Sequence, residues 1–328
     1  MTEQNIHPYA SLGPDEILSA VESAGYITNG RFLALNSYEN RVYQVGIEDA
    51  RPVVVKFYRP QRWSNEQILE EHEFSLGLAA KEIPVVAPLV DQHGQSLHEH
   101  GGFRFAIFAA CGGRWPDLDN PDNLEWLGRY LGRIHDGLSF KHRESLSVDR
   151  FAREPAQFLL TQHFIPSDWR KRYQQISERL TQQIDHLFHQ AGELKYARIH
   201  GDCHPGNVLW TEQGPHFVDF DDCMNGPAIQ DFWMLISGSR EEMAWQMGFL
   251  LEGYAEFCDF NPRELHLLEA LRTMRMIHYA AWIAKRFEDP AFVLNFPWFN
   301  SPKYWQEHIL ALEEQEQRMD QPPLPWPL

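Results

Sequence analysis

The amino-acid sequence changes its pattern once, around residues 111–118, and this change constrains the fold more than any other feature. Before this segment, β-branched and aromatic runs such as residues 53–55 alternate with turn residues, which is typical of antiparallel strands. After it, apolar residues mostly recur at helical spacing, as at Leu124, Leu127 and Leu131. A chain with strands first and helices afterwards is expected to adopt an α+β fold.

The first 110 residues predict a small sheet with one helix packed on it. Residues 31–56 predict an antiparallel meander, and Lys56 ends its third, valine-rich strand. Ser64 then opens a helix with the spacing of a capping box, and this helix is expected to run to about Ala80. Two further strands are predicted near residues 95–98 and 103–108.

The densest group of reactive side chains lies at residues 199–222. Four residues separate Asp202 from Asn207, and Asp219 is predicted on the second strand of a hairpin that Asn207 begins. A loop followed by a hairpin can bring these three oxygen-bearing side chains around one small space. A carboxylate and an amide suit Mg²⁺, which prefers hard oxygen ligands, and a second carboxylate suits phosphoryl transfer to a hydroxyl group.

The same segment has other interpretations. His200, Asp202, Cys203 and His204 could form a zinc site, but adjacent side chains on a tight loop cannot easily both face one ion. Any single aspartate could be a cap or turn residue, and His200 is expected to orient the loop by hydrogen bonding. The magnesium interpretation is preferred because the supporting elements occur in order along the chain.

The motif His-Gly-Asp at residues 200–202, with Asn207 and the Val-Asp-Phe-Asp at 218–221, resembles the aminoglycoside phosphotransferase and choline kinase branch of the protein-kinase-like fold. The resemblance implies a bilobal α+β fold with a small antiparallel-sheet N-lobe and a larger, mostly helical C-lobe. It implies a nucleotide-binding lobe at residues 1–110, a hinge at 111–118, and a C-terminal lobe at 119–328 that carries the catalytic loop and the metal-binding hairpin.

Matching positions assign roles to the reactive residues. Asp202 would be the catalytic base, Asn207 a metal ligand, and Asp219 a catalytic residue that also chelates the metal. Asp231 matches a structural aspartate that braces the catalytic loop. Asp221 stands where protein kinases have glycine, which is usual in this branch.

The resemblance also implies a binding site for ATP with Mg²⁺. Lys56 would pair with the nucleotide phosphates, and a glutamate of the following helix would hold it in place, with Glu71 favoured and Glu70 second. No glycine-rich loop is present between the first strands. Ser37 and its neighbouring backbone N–H groups would contact the phosphates there instead.

Adenine is expected at the end of the last sheet strand. Backbone groups from Phe108 to Ala110 would bind the edge of the base, and apolar side chains would cover its faces.

Over essentially the whole chain the resemblance is closer to the bacterial stress-response serine/threonine protein kinases of this branch, which implies a monomer that phosphorylates Ser or Thr of proteins. The alternatives are a kinase for a small alcohol such as choline, homoserine or an aminoglycoside, and an inactive nucleotide-binding regulator. Residues 242–286 occupy the place where relatives bind such alcohols, and their basic side chains suit a polycationic antibiotic poorly. These are Arg272, Arg275, Lys285 and Arg286.

Composition narrows the partners and the compartment. The 46 acidic and 29 basic side chains give a net charge of −17, which argues against a nucleic-acid partner and fits an anionic membrane surface poorly. Residues 1–7 lack the basic and apolar regions of a secretory signal. The four cysteines are widely spaced, as in a chain with reduced thiols, so a cytoplasmic protein is expected.

Overall fold

The computed structural model describes residues 7–326; residues 1–6, where a secretory signal would begin, lie outside the described residues. The helices are α1 (Pro14–Ser23), α2 (Asn65–Ala80), α3 (Pro121–Ile134), α4 (Glu154–Thr161), α5 (Ser167–Ala191), α6 (Ile229–Trp233), α7 (Arg240–Tyr254), α8 (Leu268–Ala284), α9 (Pro290–Asn295) and α10 (Pro302–Met319). The strands are β1 (Thr28–Ala34), β2 (Arg41–Ile47), β3 (Val53–Phe57), β4 (His98–His100), β5 (Phe103–Ala109), β6 (Ala197–Ile199), β7 (Val208–Thr211), β8 (Gly214–Phe217) and β9 (Met224–Gly226). The predicted α+β class is confirmed.

Five strands form one antiparallel sheet in the order β1-β2-β3-β5-β4. The middle strand β3 buries Val53, Val55 and Phe57, which pack against Ile17 and Val21 of α1. Side chains alternate between the two faces of a strand, so Val53, Val55 and Phe57 lie on one face of the sheet and Lys56 lies on the other. The predicted meander and its lysine-bearing strand are therefore present.

Helix α2 begins where the capping box predicts. The Ser64 hydroxyl accepts a hydrogen bond from the backbone N–H of Gln67 at 3.3 Å, and the Gln67 side chain accepts one from the Ser64 N–H at 2.9 Å. Along the helix, Ile68, Phe74 and Leu78 are buried. This anchored face fixes which glutamates of α2 are buried and which reach solvent.

The chain forms two compact units. The first contains the described residues up to Pro116, together with Lys141–Arg143 and Pro205–Cys223, and the second contains the other described residues. The sequence pattern assigned residues 205–223 to the C-terminal lobe, but hairpin β7–β8 bonds to loop segments of the first unit. Phe217 exchanges backbone hydrogen bonds with residues 84 and 86 at 2.8 and 3.0 Å, and Trp210 exchanges two with Arg114 at 2.7 and 3.0 Å.

The second unit is mostly helical, with one short sheet of β6 and β9. The predicted apolar stripe of α3 is buried, and α3 approaches α7 very closely through glycines. A Cβ atom at Gly128 would lie 2.0 Å from the Leu250 carbonyl oxygen, and one at Gly253 would lie 2.1 Å from that of Glu125. Within residues 7–326, none of the helices has the length and hydropathy to cross a membrane.

A Gly→Ala substitution is expected to have opposite effects on stability at Gly128, which lies in this contact, and at Gly77, which does not. Gly128→Ala is expected to destabilise the protein by about 1–3 kcal/mol, because the added methyl group overlaps a backbone oxygen. Gly77→Ala in α2 meets no atom within 4 Å and is expected to stabilise by about 0.5–1 kcal/mol. Urea unfolding followed by circular dichroism measures both, and equal effects would contradict the described packing.

Candidate active site

Lys56 lies in β3 in the middle of the sheet, with strands on both sides, and its side chain is almost fully buried. Its Nζ lies 3.0 Å from Glu71 Oε1, 3.2 Å from Asp221 Oδ1 and 3.3 Å from Asp219 Oδ1. Burial alone lowers the pKa of Lys56, but the carboxylates of Asp221 and Glu71 outweigh it and raise this pKa well above its ordinary value. Lys56 is therefore a buried cation surrounded by three carboxylates.

Of the two candidate glutamates on α2, Glu71 contacts the lysine. It is buried, and its Oε2 also accepts a hydrogen bond from Arg143 Nη2 at 2.9 Å. Burial raises the pKa of Glu71, and the cations Lys56 and Arg143 oppose that shift. Glu70 instead accepts hydrogen bonds from the backbone N–H groups of residues 141–143 at 2.7–2.8 Å, so it anchors that segment.

Asp219 was predicted on the second strand of the hairpin, but it lies two residues beyond the end of β8. Its φ of 60° puts it in the left-handed region, which ends the strand and which aspartate tolerates better than most residues. The N–H of Val218 donates to the carbonyl oxygen of Asn207 at 3.0 Å, which brings the backbone of Asn207 beside that of the residue preceding Asp219. The Asp219 side chain is 54% exposed.

Asn207 and Asp219 line the same cavity, and their chemistry fits a magnesium ion. An amide oxygen and an accessible carboxylate are hard donors, and two protein ligands leave the rest of an octahedral shell for water and phosphate oxygens. Among residues 7–326, no group of three or more His, Cys, Asp or Glu side chains is arranged to hold a metal ion. Within residues 200–204, the segment of the zinc interpretation, Cys203 is fully buried.

Asp221 has a structural role that the sequence pattern did not reveal. It is 3% exposed, forms ion pairs with Lys56 and Arg62, and its carbonyl oxygen accepts a hydrogen bond from Arg143 Nη1 at 2.6 Å. Burial by itself raises the pKa of Asp221, but Arg62, Lys56 and Arg143 lower it well below its ordinary range. Asp221 is therefore an ionised carboxylate that ties the segment after Asp219 to the lysine.

The cavity beside Lys56 has a volume of about 360 Å³, which is in the range of small-molecule sites. Ser37 lines it, and its hydroxyl donates to the Asn40 carbonyl oxygen at 3.2 Å. Phe108 also lines the cavity. At the end of β5 the lining residues include Ala109 and Cys111, which flank the expected Ala110. The other apolar lining residues are Leu35, Val42, Val54, Val86, Leu209, Val218 and Phe220.

Asp202 lies in the second unit, in a loop held by buried hydrogen bonds. The carboxylate of Asp231 accepts from the backbone N–H groups of His200 and Gly201, both at 2.8 Å, and lies 3.0 Å from His135 Nε2. Gly201 has a φ of 83°, a conformation that favours glycine, so the loop turns sharply just before Asp202. These contacts correspond to the predicted bracing of the loop by Asp231.

Asp202 itself is partly exposed and meets two side chains of the second unit. Arg275 Nη1 of α8 lies 2.7 Å from Asp202 Oδ1, and His204 Nε2 lies 3.6 Å from Asp202 Oδ2. The sequence pattern marked Arg275 only as part of a basic stretch, because nothing local relates it to Asp202, 73 residues earlier. The candidate base is thus a carboxylate with one exposed cationic partner.

This chain is similar in sequence and in fold to known phosphotransferases. The model of the phosphotransferase enzyme family, APH, matches residues 31–268. Stress response kinase A of Escherichia coli O157:H7 is 43% identical over 96% of each chain, and the serine/threonine protein kinase RdoA of Salmonella typhimurium strain LT2 is 42% identical over 98% of this chain and 97% of its own. An amicoumacin kinase solved with AMP-PNP and Ca²⁺ has a similar fold, with a TM-score of 0.69, 19% identity, and coverage of 94% of this chain and 95% of its own.

The burial of Asp221 predicts a large difference between two neighbouring aspartates. Asp221→Asn is expected to destabilise the protein by about 3–5 kcal/mol, because it removes the charge that compensates buried Lys56 and Arg62. Asp222→Asn should cost less than about 1 kcal/mol, because the Asp222 side chain is 41% exposed where it pairs with Arg62 at 2.5 Å. Urea unfolding of both variants tests this, and similar losses would contradict the assignment.

Proposed function

Because the chain belongs to the phosphotransferase enzyme family, whose model matches residues 31–268, we propose that it transfers the γ-phosphoryl group of ATP to a hydroxyl group of Ser or Thr in proteins. The observation that carries this proposal is the contact of buried Lys56 with Glu71 and Asp219 at the wall of one cavity. A fixed cation beside an accessible carboxylate suits a ligand made of phosphates and a divalent metal.

In this proposal the first unit binds the nucleotide. Lys56 contacts the phosphates, and Glu71 keeps the ammonium group in position. Ser37 and the backbone around it contact the terminal phosphates, while Phe108 and the backbone up to Ala110 take the adenine. The apolar walls of the cavity support this assignment, because they offer the faces of a base a dry surface.

Asn207 and Asp219 would hold Mg²⁺, which supplies positive charge that neutralises the phosphate oxygens. Asp202 would orient the acceptor and take its proton. In the transfer, the acceptor oxygen forms a bond to the γ-phosphorus, the bond from that phosphorus to the oxygen of ADP breaks, and the hydroxyl proton passes to the Asp202 carboxylate. The loop bonds from Asp231 support this role, because a base has to be held in place.

A protein acceptor is supported by the relative from Salmonella typhimurium, which bears the name of a serine/threonine protein kinase and is 42% identical to this chain. The basic residues of α8 also suit a polycationic antibiotic poorly. We propose further that the protein acts in the cytoplasm as a monomer, without a nucleic-acid or membrane partner. The net charge of −17 supports the last two points.

The acceptor class has a direct test. With labelled ATP and Mg²⁺, the label is expected to reach a generic protein acceptor such as casein, and to appear on serine or threonine after acid hydrolysis. Choline, homoserine and an aminoglycoside are incubated in parallel and are expected to remain unlabelled. Label on one of these alcohols alone would establish a small-molecule kinase, and no ATP turnover with any acceptor would indicate an inactive nucleotide-binding protein.

Two isosteric variants separate the proposed base from the proposed metal ligand. Asp202→Asn is expected to slow transfer by about 10²–10⁴-fold with unchanged nucleotide affinity, because only proton removal and acceptor alignment are lost. Asp219→Asn is expected to weaken Mg·ATP binding by about tenfold or more as well, because a charged ligand worth about 1.5–3 kcal/mol is lost. A fluorescent ATP analogue measures binding, and labelled ATP measures transfer.

The matched control for both is Asp185→Asn, an exposed aspartate of α5 that pairs with Arg153. It should leave binding and transfer unchanged. Wild-type turnover in Asp202→Asn would remove this residue from the mechanism.

A further inference from the structure

The carboxylate proposed as the base has an exchangeable partner. Arg275 Nη1 lies 2.7 Å from Asp202 Oδ1, and the Arg275 side chain is 42% exposed, whereas that of Asp202 is 21% exposed. An ion pair so open to water is weak and is screened by salt, so another anion can take the place of Asp202 on the guanidinium group. The loop of Asp202 is fixed by Asp231, whereas the arginine is long and accessible.

Arg275 belongs to a basic surface of α8 that continues away from Asp202. Residues 275, 279 and 282 have helical spacing and share one face of α8, and Arg286 follows in the turn just after the helix. On this face Tyr279 stacks on Trp282 at 5.6 Å, and the guanidinium of Arg286 lies 5.4 Å from the centre of the Trp282 ring. We call the surface formed by Arg275, Tyr279, Trp282 and Arg286 the α8 face.

The charged side chains of residues 270–287 are all basic. Between residues 270 and 287 the sequence contains four basic residues and no Asp or Glu, although the whole chain carries a net charge of −17. Arg272, one turn before Arg275, pairs with Glu269 at 2.8 Å, so part of this charge is compensated there. Arg275 pairs with the proposed base itself, so its guanidinium group lies next to the position of the acceptor hydroxyl.

We infer that the α8 face recognises an acidic peptide, and that Arg275 is the residue that selects it. This inference rests on the proposed function, because it concerns the acceptor of that reaction. When a Ser or Thr flanked by Asp or Glu binds, Arg275 transfers its ion pair from Asp202 to the carboxylate of the peptide. The exchange places the hydroxyl beside Asp202 and frees this carboxylate to take the proton.

The same chemistry selects against other acceptors. A basic peptide or a polycationic antibiotic meets like charge at Arg275, and a neutral alcohol offers no anion to release the arginine from Asp202. The stacked rings of Tyr279 and Trp282 add an apolar surface beside the charge, which suits an extended peptide better than a small ion. Arg275 is thus a specificity residue that contacts the acceptor.

The test compares three peptides that are identical except at the positions flanking a single serine, which are Asp, Asn or Lys. For the wild type, kcat/KM for the Asp peptide is expected to exceed that for the Asn peptide at least tenfold, with the Lys peptide lowest. Arg275→Gln should make the three values similar, Arg275→Glu should reverse their order, and Arg275→Lys should restore part of the original order. A purely structural role would not reverse a preference.

The matched control is Arg172→Gln, an exposed arginine of α5 that pairs with Glu313, and it should keep the wild-type order. Equal values for the three peptides in the wild type, or an Asp preference that persists in Arg275→Glu, would overturn this inference and leave the proposed function standing. Transfer to a small alcohol but to none of the peptides would overturn the proposed function, and the inference with it.

Discussion

The first unit is organised around a charge that it has to bury. Lys56 lies in the middle of a sheet, where an ammonium group is stable only if anions surround it. Its carboxylate partners come from α2 and from the segment after β8, and the arginines that complete the cluster come from residue 62 and from the segment 141–143. Three regions of the chain, residues 56–71, 141–143 and 219–221, are thus joined by one requirement of charge balance, and the cavity lies beside them.

Local patterns were enough to predict the elements that carry this cluster. The valine run placed Lys56 on a strand, the capping box fixed the start of α2, and helical spacing put Glu71 on the same side as buried Ile68. This shared face, together with the distance from the helix end that the family resemblance implies, favoured Glu71 over Glu70. Helical periodicity did not predict the partners of Glu70, because these partners are backbone N–H groups of a distant loop.

The remaining features depend on contacts that no local pattern contains. Arg62 and Arg143 are 159 and 78 residues away from Asp221, so its burial follows from the packing of distant segments. The positive φ of Asp219 was missed for a related reason: β-propensity extends the hairpin to this residue, and its contact with Lys56, 163 residues earlier, leaves no local signal.

The loop of Asp202 combines two opposed requirements of the catalytic base that we propose it carries. On its buried side, Asp231 fixes the backbone of His200 and Gly201, and His135 holds Asp231, so the loop has few alternative positions. On its open side the carboxylate meets one exposed arginine. Net charge therefore describes this protein poorly, because a chain with 17 excess negative charges places a positive side chain at the one carboxylate where an acceptor would arrive. The effect of distant charges is screened beyond a Debye length of about 8 Å at physiological salt, so the charges nearest Asp202 outweigh the net charge there.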